Sequence, residues 1–406
     1  MKAITYQKNK HIQRNALHTD VTFLNKTNIT AVRNFHKSFP QYDVTPLQNL
    51  KALATAYGLE AIWVKDESYR FGLNAFKVLG GAYAIGKYLA ALLDLPLESL
   101  SFEQLKSDAV KSKLGTLTFV TATDGNHGRG IAWAARVLGH KSVVFMPQGS
   151  SMFRLESILA EGAEASITSF NYDDAVRLAN RYAEETGAIL IQDSSWPGYE
   201  AIPTWIIQGY ATLTDEAVEQ IDALGAKPPT HLFLQAGVGS FASSVLGYFT
   251  ALYGVDRPIT VIVEPSEAAC LFKSAQIGDG KPHNVTGFMP TIMAGLACGE
   301  PSMVSWDILK DYTDMYLSCD DAVTELGMQI LAHPSDQDPN VVSGESGAVG
   351  MGALCLLMND VNYSELAQIL KLDNNSRVLI ISTEGDTDPI NYKKIIEKPL
   401  KWRHSI

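Results

Sequence analysis

Four segments of this 406-residue sequence carry residue types that do chemistry, each placed after a strand-like run. The first is Glu67-Ser-Tyr-Arg-Phe-Gly-Leu-Asn-Ala-Phe76-Lys77-Val-Leu-Gly-Gly-Ala. Its spacing puts Lys77 in the first turn of a helix. A cation there faces the positive end of the helix dipole, which surface lysines avoid. That position, with Phe76 and Leu79 nearby, is expected to depress the amine pKa, as an imine-forming lysine requires. The competing reading is a lysine whose stem packs on apolar surface while its head reaches water.

The second segment is Thr121-Ala-Thr-Asp124-Gly-Asn126-His127-Gly128. Small residues let the backbone approach a ligand, and the helix start that follows offers free N–H groups to an anion. Asn126 is placed to donate to a phenolate or carboxylate oxygen; a plain helix cap with a tight turn would use the same residue types. His127 has no His, Cys or carboxylate at ligand spacing beside it, so no metal site is expected. The third segment, His231-Leu-Phe-Leu-Gln-Ala-Gly237-Val238-Gly239-Ser240-Phe-Ala242, runs from a strand through a glycine turn into a helix. Backbone N–H groups and the Ser240 hydroxyl suit a phosphate. It also matches GxGxxA, with Glu264 ending the next strand as a candidate ribose ligand. No lysine follows as in a P-loop, which disfavours ATP hydrolysis. The fourth, Leu379-Ile-Ile-Ser382-Thr383-Glu-Gly-Asp386-Thr-Asp388, ends a strand in two hydroxyls able to face a ring nitrogen, or forms an ordinary polar turn.

The elements that must position these groups recur along the chain. Apolar runs at Ala61–Lys65, 117–121, 142–146, 188–192, His231–Gln235, 259–263 and Arg377–Ser382 alternate with glycine-containing loops and amphipathic stretches, among them 75–93, 131–138 and 152–161. Near-continuous apolar strands alternating with helices predict a mostly parallel sheet covered on both faces. In such sheets ligands bind beyond the carboxyl ends of the strands, where all four segments lie. Residues 94–113 are polar and helix-prone and read as surface decoration.

Length predicts two domains, and 46% hydrophobic with 19% charged residues supplies a sizeable core. Lysine plus arginine total 33 against 44 acids, a net charge of −11. A diffuse acidic surface repels phosphate backbones and anionic membranes, so neither nucleic acid nor a membrane is an expected partner. No run of eighteen apolar residues is present, and the polar N-terminus lacks a signal-peptide core. Four cysteines, Cys270, Cys298, Cys319 and Cys355, make no disulfide framework. The expectation is a soluble, cytoplasmic protein with free thiols.

Taken in order, Asn-Ala-Phe-Lys77, Asp124-Gly-Asn-His-Gly128, Gly237-Val-Gly-Ser240 and Ser382-Thr-Glu-Gly-Asp386 resemble the fold-type II pyridoxal-phosphate enzymes. That group includes the threonine and serine dehydratases, cysteine synthase and the tryptophan synthase β chain. Within it, Thr121 to Gly130, Gln192-Asp193-Ser-Ser-Trp196 and Ile381 to Asp388 are most similar to the diaminopropionate ammonia-lyases. The likeness spans roughly Val64 to Asp388. It implies an α/β fold like that of the tryptophan synthase β chain. Two open, twisted, mostly parallel sheets are expected, with one domain inserted in the other: residues 1–70 and 210–406 form the larger, 71–209 the smaller and mobile one.

The resemblance further implies that Lys77, with Phe76 beside it, bears pyridoxal 5′-phosphate as a Schiff base. Asn126 would contact the ring hydroxyl; Gly237, Val238, Gly239 and Ser240 would hold the phosphate; Ser382 or Thr383 would face the pyridine nitrogen. A neutral hydroxyl does not hold that nitrogen protonated, so the weaker electron sink suits elimination better than transamination. Asp124 departs from the Ser or Ala usual in the wider group. A carboxylate there makes sense for an amino acid with an extra ammonium group, and it offers a base on the face opposite Lys77.

The implied reaction is α,β-elimination of D- and L-2,3-diaminopropionate to pyruvate and two ammonia. Lys77 is the base for L, Asp124 for D, and Asp193 is a second candidate for the β-amino group or an ordinary capping aspartate. The segments Thr291–Cys298 and Ser343–Ala348, with Glu345, resemble active-site rims, and a homodimer is the family expectation. Alternatives are a serine or threonine dehydratase of the same fold, an NAD-dependent oxidoreductase built on Gly237 and Glu264, and a non-catalytic phosphate-ligand binder.

Overall fold

The computed structural model describes residues 2–399 apart from 13, 15 and 336. Eleven strands occur in it: β1 (Ile4–Lys8), β2 (Leu47–Asn49), β3 (Ala61–Asp66), β4 (Thr118–Ala122), β5 (Lys141–Met146), β6 (Glu164–Ile167), β7 (Ile189–Leu190), β8 (His231–Gln235), β9 (Ile259–Pro265), β10 (Met315–Cys319) and β11 (Arg377–Ser382). They form a seven-stranded sheet in the order β1-β10-β9-β8-β11-β3-β2 and a four-stranded sheet in the order β6-β5-β4-β7.

The inner strands of the large sheet pair in parallel, and only its edges, β1 on β10 and β2 on β3, are antiparallel. The small sheet is parallel throughout. Burial explains the pattern. All five residues of β8 are buried, as are those of β10, because helices cover both faces. At the edge, β1 buries Ile4 almost fully and leaves Thr5, Tyr6 and Lys8 exposed. The apolar-run expectations match strands at every position, although the run 188–192 pairs only at Ile189 and Leu190. β1, β2, β6 and β10 were not anticipated. The polar stretch 94–113 folds into two short helices, Phe102–Lys106 and Asp108–Leu114, capped by Ser101 and Ser107.

Chain order reverses beside β8: the chain goes on to β9 on one side, while β11, from the far end of the sequence, fills the other. Such a switch point opens a crevice at the carboxyl ends of the strands. The helix Ser240–Tyr253 starts there directly after β8, and the helix Val78–Leu93 packs nearby against the long helix Ala201–Ala223. That packing needs glycine: a Cβ on Gly209 would sit 2.6 Å from the Leu79 carbonyl oxygen. Among the described residues no helix is long and apolar enough to cross a membrane.

Candidate active site

Lys77 precedes the helix Val78–Leu93 as its N-terminal flanking residue, one position earlier than the spacing predicts. Its segment is tied to the end of β11 by the Phe76 amide, which donates to the Thr383 carbonyl at 3.1 Å. The ammonium enters a cleft whose walls include Asn126, Tyr172, Asp193, Tyr210, the turn 237–240 and Thr383. Nζ lies 3.0 Å from Asp193 Oδ2, and both side chains are largely buried. Burial alone would pull the amine down, but the Asp193 charge, with smaller contributions from Tyr210 and Asp124, holds it above the ordinary lysine value. The expected depression is therefore overturned. Its cause, a carboxylate 116 positions away in the sequence, has no signature around Lys77.

Asp193 is likewise no plain capping residue. Burial would raise its carboxyl, yet Lys77 and then His127 hold it below the usual carboxylate range. Tyr172 donates to its Oδ1 at 3.2 Å, and Gln192 donates to the Tyr172 hydroxyl at 2.8 Å. Gln192 Oε1 in turn accepts from Thr121 Oγ1 and the Ala122 amide on β4. The carboxylate is thus fixed in position by the small sheet.

Opposite the lysine lies the glycine turn. Gly239 has φ +102°, and a Cβ there would meet Leu309 at 2.9 Å; one on Gly237 would meet Cys298 Sγ at 3.0 Å. Only glycine lets the turn close. The amides of Gly237, Val238, Gly239 and Ser240 donate to no carbonyl or side chain among the described residues. Four bare N–H groups at the start of a 14-residue helix form a cradle for a phosphate. The Ser240 hydroxyl donates to the Asp193 carbonyl at 2.5 Å and so also joins this turn to the lysine's partner. Phe76 packs between Tyr210 and Phe241, with ring centroids 4.7 and 4.9 Å away. The Tyr210 hydroxyl and Gln235 Oε1 are buried without hydrogen-bond partners in this wall. A primary amine, a bare amide cradle and unpaired polar atoms in one cleft fit a phosphate ester that carries an aldehyde.

The two hydroxyls at the end of β11 differ. Thr383 lines the cleft and accepts from Gln235 Nε2 at 2.8 Å, whereas Ser382 is fully buried and donates to Ser343 Oγ at 2.8 Å. Asn126 lines the cleft and donates to Glu384, a buried carboxylate that also accepts from the Ser346 amide at 3.0 Å. Asp124 is buried at the loop after β4, with Oδ2 3.7 Å from Arg154. Neither Glu384 nor Arg154 was singled out in the sequence. Glu384 follows the two hydroxyls directly and was legible by position; Arg154 belongs to an unremarkable amphipathic helix.

Gly295, Leu296, Cys298 and Ser346 line the cleft, as the rim resemblance implies, while Glu345 lies behind it, 4.0 Å from Arg154. Glu264 is not a ribose ligand: its two oxygens accept from the Leu271 and Phe272 amides and cap the helix Cys270–Ile277. That removes the support for a dinucleotide. His127 is buried and bonds the Ile191 carbonyl at 2.9 Å. No cluster of metal-ligating side chains occurs among the described residues. Cys270 and Cys298 both approach Gly237, and all four cysteines are free and buried.

Comparison with known proteins adds an independent line. The family profile described as "Pyridoxal-phosphate dependent enzyme" matches residues 39–384. A diaminopropionate ammonia-lyase of Salmonella typhimurium is 53% identical over 97% of this chain and 98% of its own. The crystal structure of the holo diaminopropionate ammonia-lyase from Escherichia coli superposes with a TM-score of 0.90 at 46% identity, covering 97% of this chain and 96% of that one. The same Escherichia coli enzyme in complex with an aminoacrylate-PLP azomethine reaction intermediate gives 0.89 at 45% identity, covering 97% of each chain.

Proposed function

This chain belongs to the family of pyridoxal-phosphate dependent enzymes, and we propose that it is the carbon–nitrogen lyase that eliminates ammonia from 2,3-diaminopropionate. The observation that carries the reading is the cleft itself, in which the Lys77 amine faces four bare amides. When bound, pyridoxal phosphate supplies the electron sink that makes the Cα proton acidic and lets the β-substituent leave. The chain supplies the rest. Lys77 is the amine that would hold the cofactor, and the bare amides of Gly237, Val238, Gly239 and Ser240 would hold its phosphate. Asn126 is placed for the ring hydroxyl. Of the two hydroxyls, Thr383 is placed for the ring nitrogen, because it faces the cleft and Ser382 does not.

The Lys77 amine would take the Cα proton of the L isomer, and the Asp124 carboxylate that of the D isomer. Asp193, the carboxylate that pairs with Lys77 at 3.0 Å, is available to attract the substrate's β-ammonium group once Lys77 no longer occupies it. With one water consumed, diaminopropionate yields pyruvate and two ammonia. The division into a larger domain (1–70 and 210–406) and a smaller one (71–209) belongs to the same reading. All seven strands of the large sheet fall in the first and all four of the small sheet in the second. The helix Ala201–Ala223 runs across the proposed boundary at 209/210. A symmetric homodimer, the commonest closed assembly, and a cytoplasmic setting complete it.

Pyruvate release from both diaminopropionate enantiomers, D-serine and L-threonine tests the assignment. Both enantiomers are expected to be turned over, each with a higher kcat/KM than serine or threonine. A preference for L-threonine would make the protein a dehydratase instead.

A further inference from the structure

Asp124 is the residue on which D-isomer turnover depends in the reading above, and its surroundings are unusual for a buried carboxylate. Its Oδ2 accepts no hydrogen bond, and among the described residues the only cation within 4.0 Å is Arg154, whose Nη1 lies 3.7 Å away. Arg154 projects from the helix Met152–Ala160 and is almost completely buried. Nη2 donates to Thr387 Oγ1 at 3.3 Å and lies 4.0 Å from Glu345 Oε2, while Nε has no partner. The guanidinium therefore stands where three segments meet: the loop after β4, the turn at Glu345 and the stretch that follows β11. The loop is shaped around it, since a Cβ on Gly125 would come 3.0 Å from Arg154 Cδ.

The distance to Asp124 is longer than a hydrogen bond, so what Arg154 delivers there is charge. It is poorly suited to bind a substrate carboxylate itself. Asp124, Glu345, Glu384 and Asp388 already bear on this one cation, and a fifth carboxylate would join a net negative cluster.

We propose that Arg154 is a positioning residue for Asp124: from 3.7 Å it holds that carboxylate in the loop after β4, and thereby sets the ratio of D to L turnover. The proposal rests on Asp124 being the base for D. Besides Arg154, the groups that bear on Asp124 are Lys77, His127, Tyr172, Tyr210 and Cys298, all of which stay in place when only Arg154 is changed. Removing the guanidinium leaves the Asp124 carboxylate without the one cation within 4.0 Å among the described residues and without the side chain that Gly125 packs on, so the carboxylate loses its fixed place. D turnover should fall, while L turnover, which depends on Lys77, should be kept.

The test is kcat and KM for D- and L-diaminopropionate in the wild type, Arg154→Gln, Arg154→Lys and Asp124→Asn, with cofactor absorbance recorded as a measure of loading. Arg154→Gln should lower the D-to-L ratio of kcat/KM at least tenfold, and Arg154→Lys should recover part of it. Equal losses for D and L would overturn the proposal while leaving Asp124 as the base. D turnover that survives Asp124→Asn would overturn both. Should Arg154→Gln fail to take up cofactor, Thr387→Val decides. It removes the hydroxyl that accepts from Nη2 and donates to Glu384 Oε2 at 3.2 Å, leaves the guanidinium and its charge in place, and must lower the D-to-L ratio in the same direction; an unchanged ratio overturns the proposal.

Discussion

Two lysines of this molecule, Lys65 and Lys77, have opposite surroundings. Lys65, on β3, spends its three donors on the Thr45 carbonyl, Glu216 and Gln220 at 2.7, 2.8 and 2.9 Å, with no exposure at all. Around it Arg70 forks onto Glu67 and Glu216, so that every charge has a partner. Lys77 has one partner, Asp193, and opens on a cleft whose walls hold bare amides and unpaired polar atoms. Burial lowers the pKa of Lys65, whereas Asp193 raises that of Lys77. A lowered amine pKa taken alone would single out Lys65, which does not line the cleft. A buried lysine becomes reactive through an empty space beside it and spare bonding capacity; a closed network of the same residue types only holds elements together.

The largest contrast is expected from the lysines themselves. Lys77→Ala should remove the absorbance of the lysine-bound cofactor and lower kcat/KM by about 10⁴-fold or more, measured under conditions where the variant is fully folded. Lys65→Met should do the reverse. By stripping one partner from a buried ion network it should cost about 3–5 kcal/mol in a denaturant titration, while the folded fraction keeps its turnover. Loss of turnover at full stability in Lys65→Met would erase the distinction.

Asp193→Asn comes next. With its charge gone, burial is left to act on Lys77, so the amine should lose its proton at a lower pH than in the wild type. The pH at which the apoprotein begins to take up pyridoxal phosphate should fall accordingly, and L-isomer turnover should drop about 10²-fold. An uptake curve at unchanged pH would show that the ion pair does not govern Lys77. The smallest effects separate the hydroxyls after β11: Thr383→Val should lower turnover several-fold and shift the cofactor absorbance. Ser382→Ala should leave both alone and cost about 1 kcal/mol of stability through the lost bond to Ser343.

The central parallel strands were legible because burial on both faces writes them as unbroken apolar runs. The edges were not: β2 is only half-buried throughout, and β1 is too exposed to stand out from a polar terminus. β10, though fully buried, lacks the glycine loop that marked the others. Site residues at strand ends were visible for the same topological reason. What stayed hidden were meetings across the sequence, namely Lys77 with Asp193, Asp124 with Arg154 and Asn126 with Glu384. Each joins residues that fit an ordinary cap, turn or amphipathic helix when considered alone. The sign of the Lys77 shift failed for this reason, since a local argument from the helix dipole cannot include a distant carboxylate.

Borohydride reduction of the cofactor-loaded protein, followed by digestion and mass mapping, tests most directly which lysine is the reactive one. The label, a reduced pyridoxyl group, is predicted on the peptide that contains Lys77 and on no other. A label on Lys65, or on any lysine outside the cleft, would contradict the account.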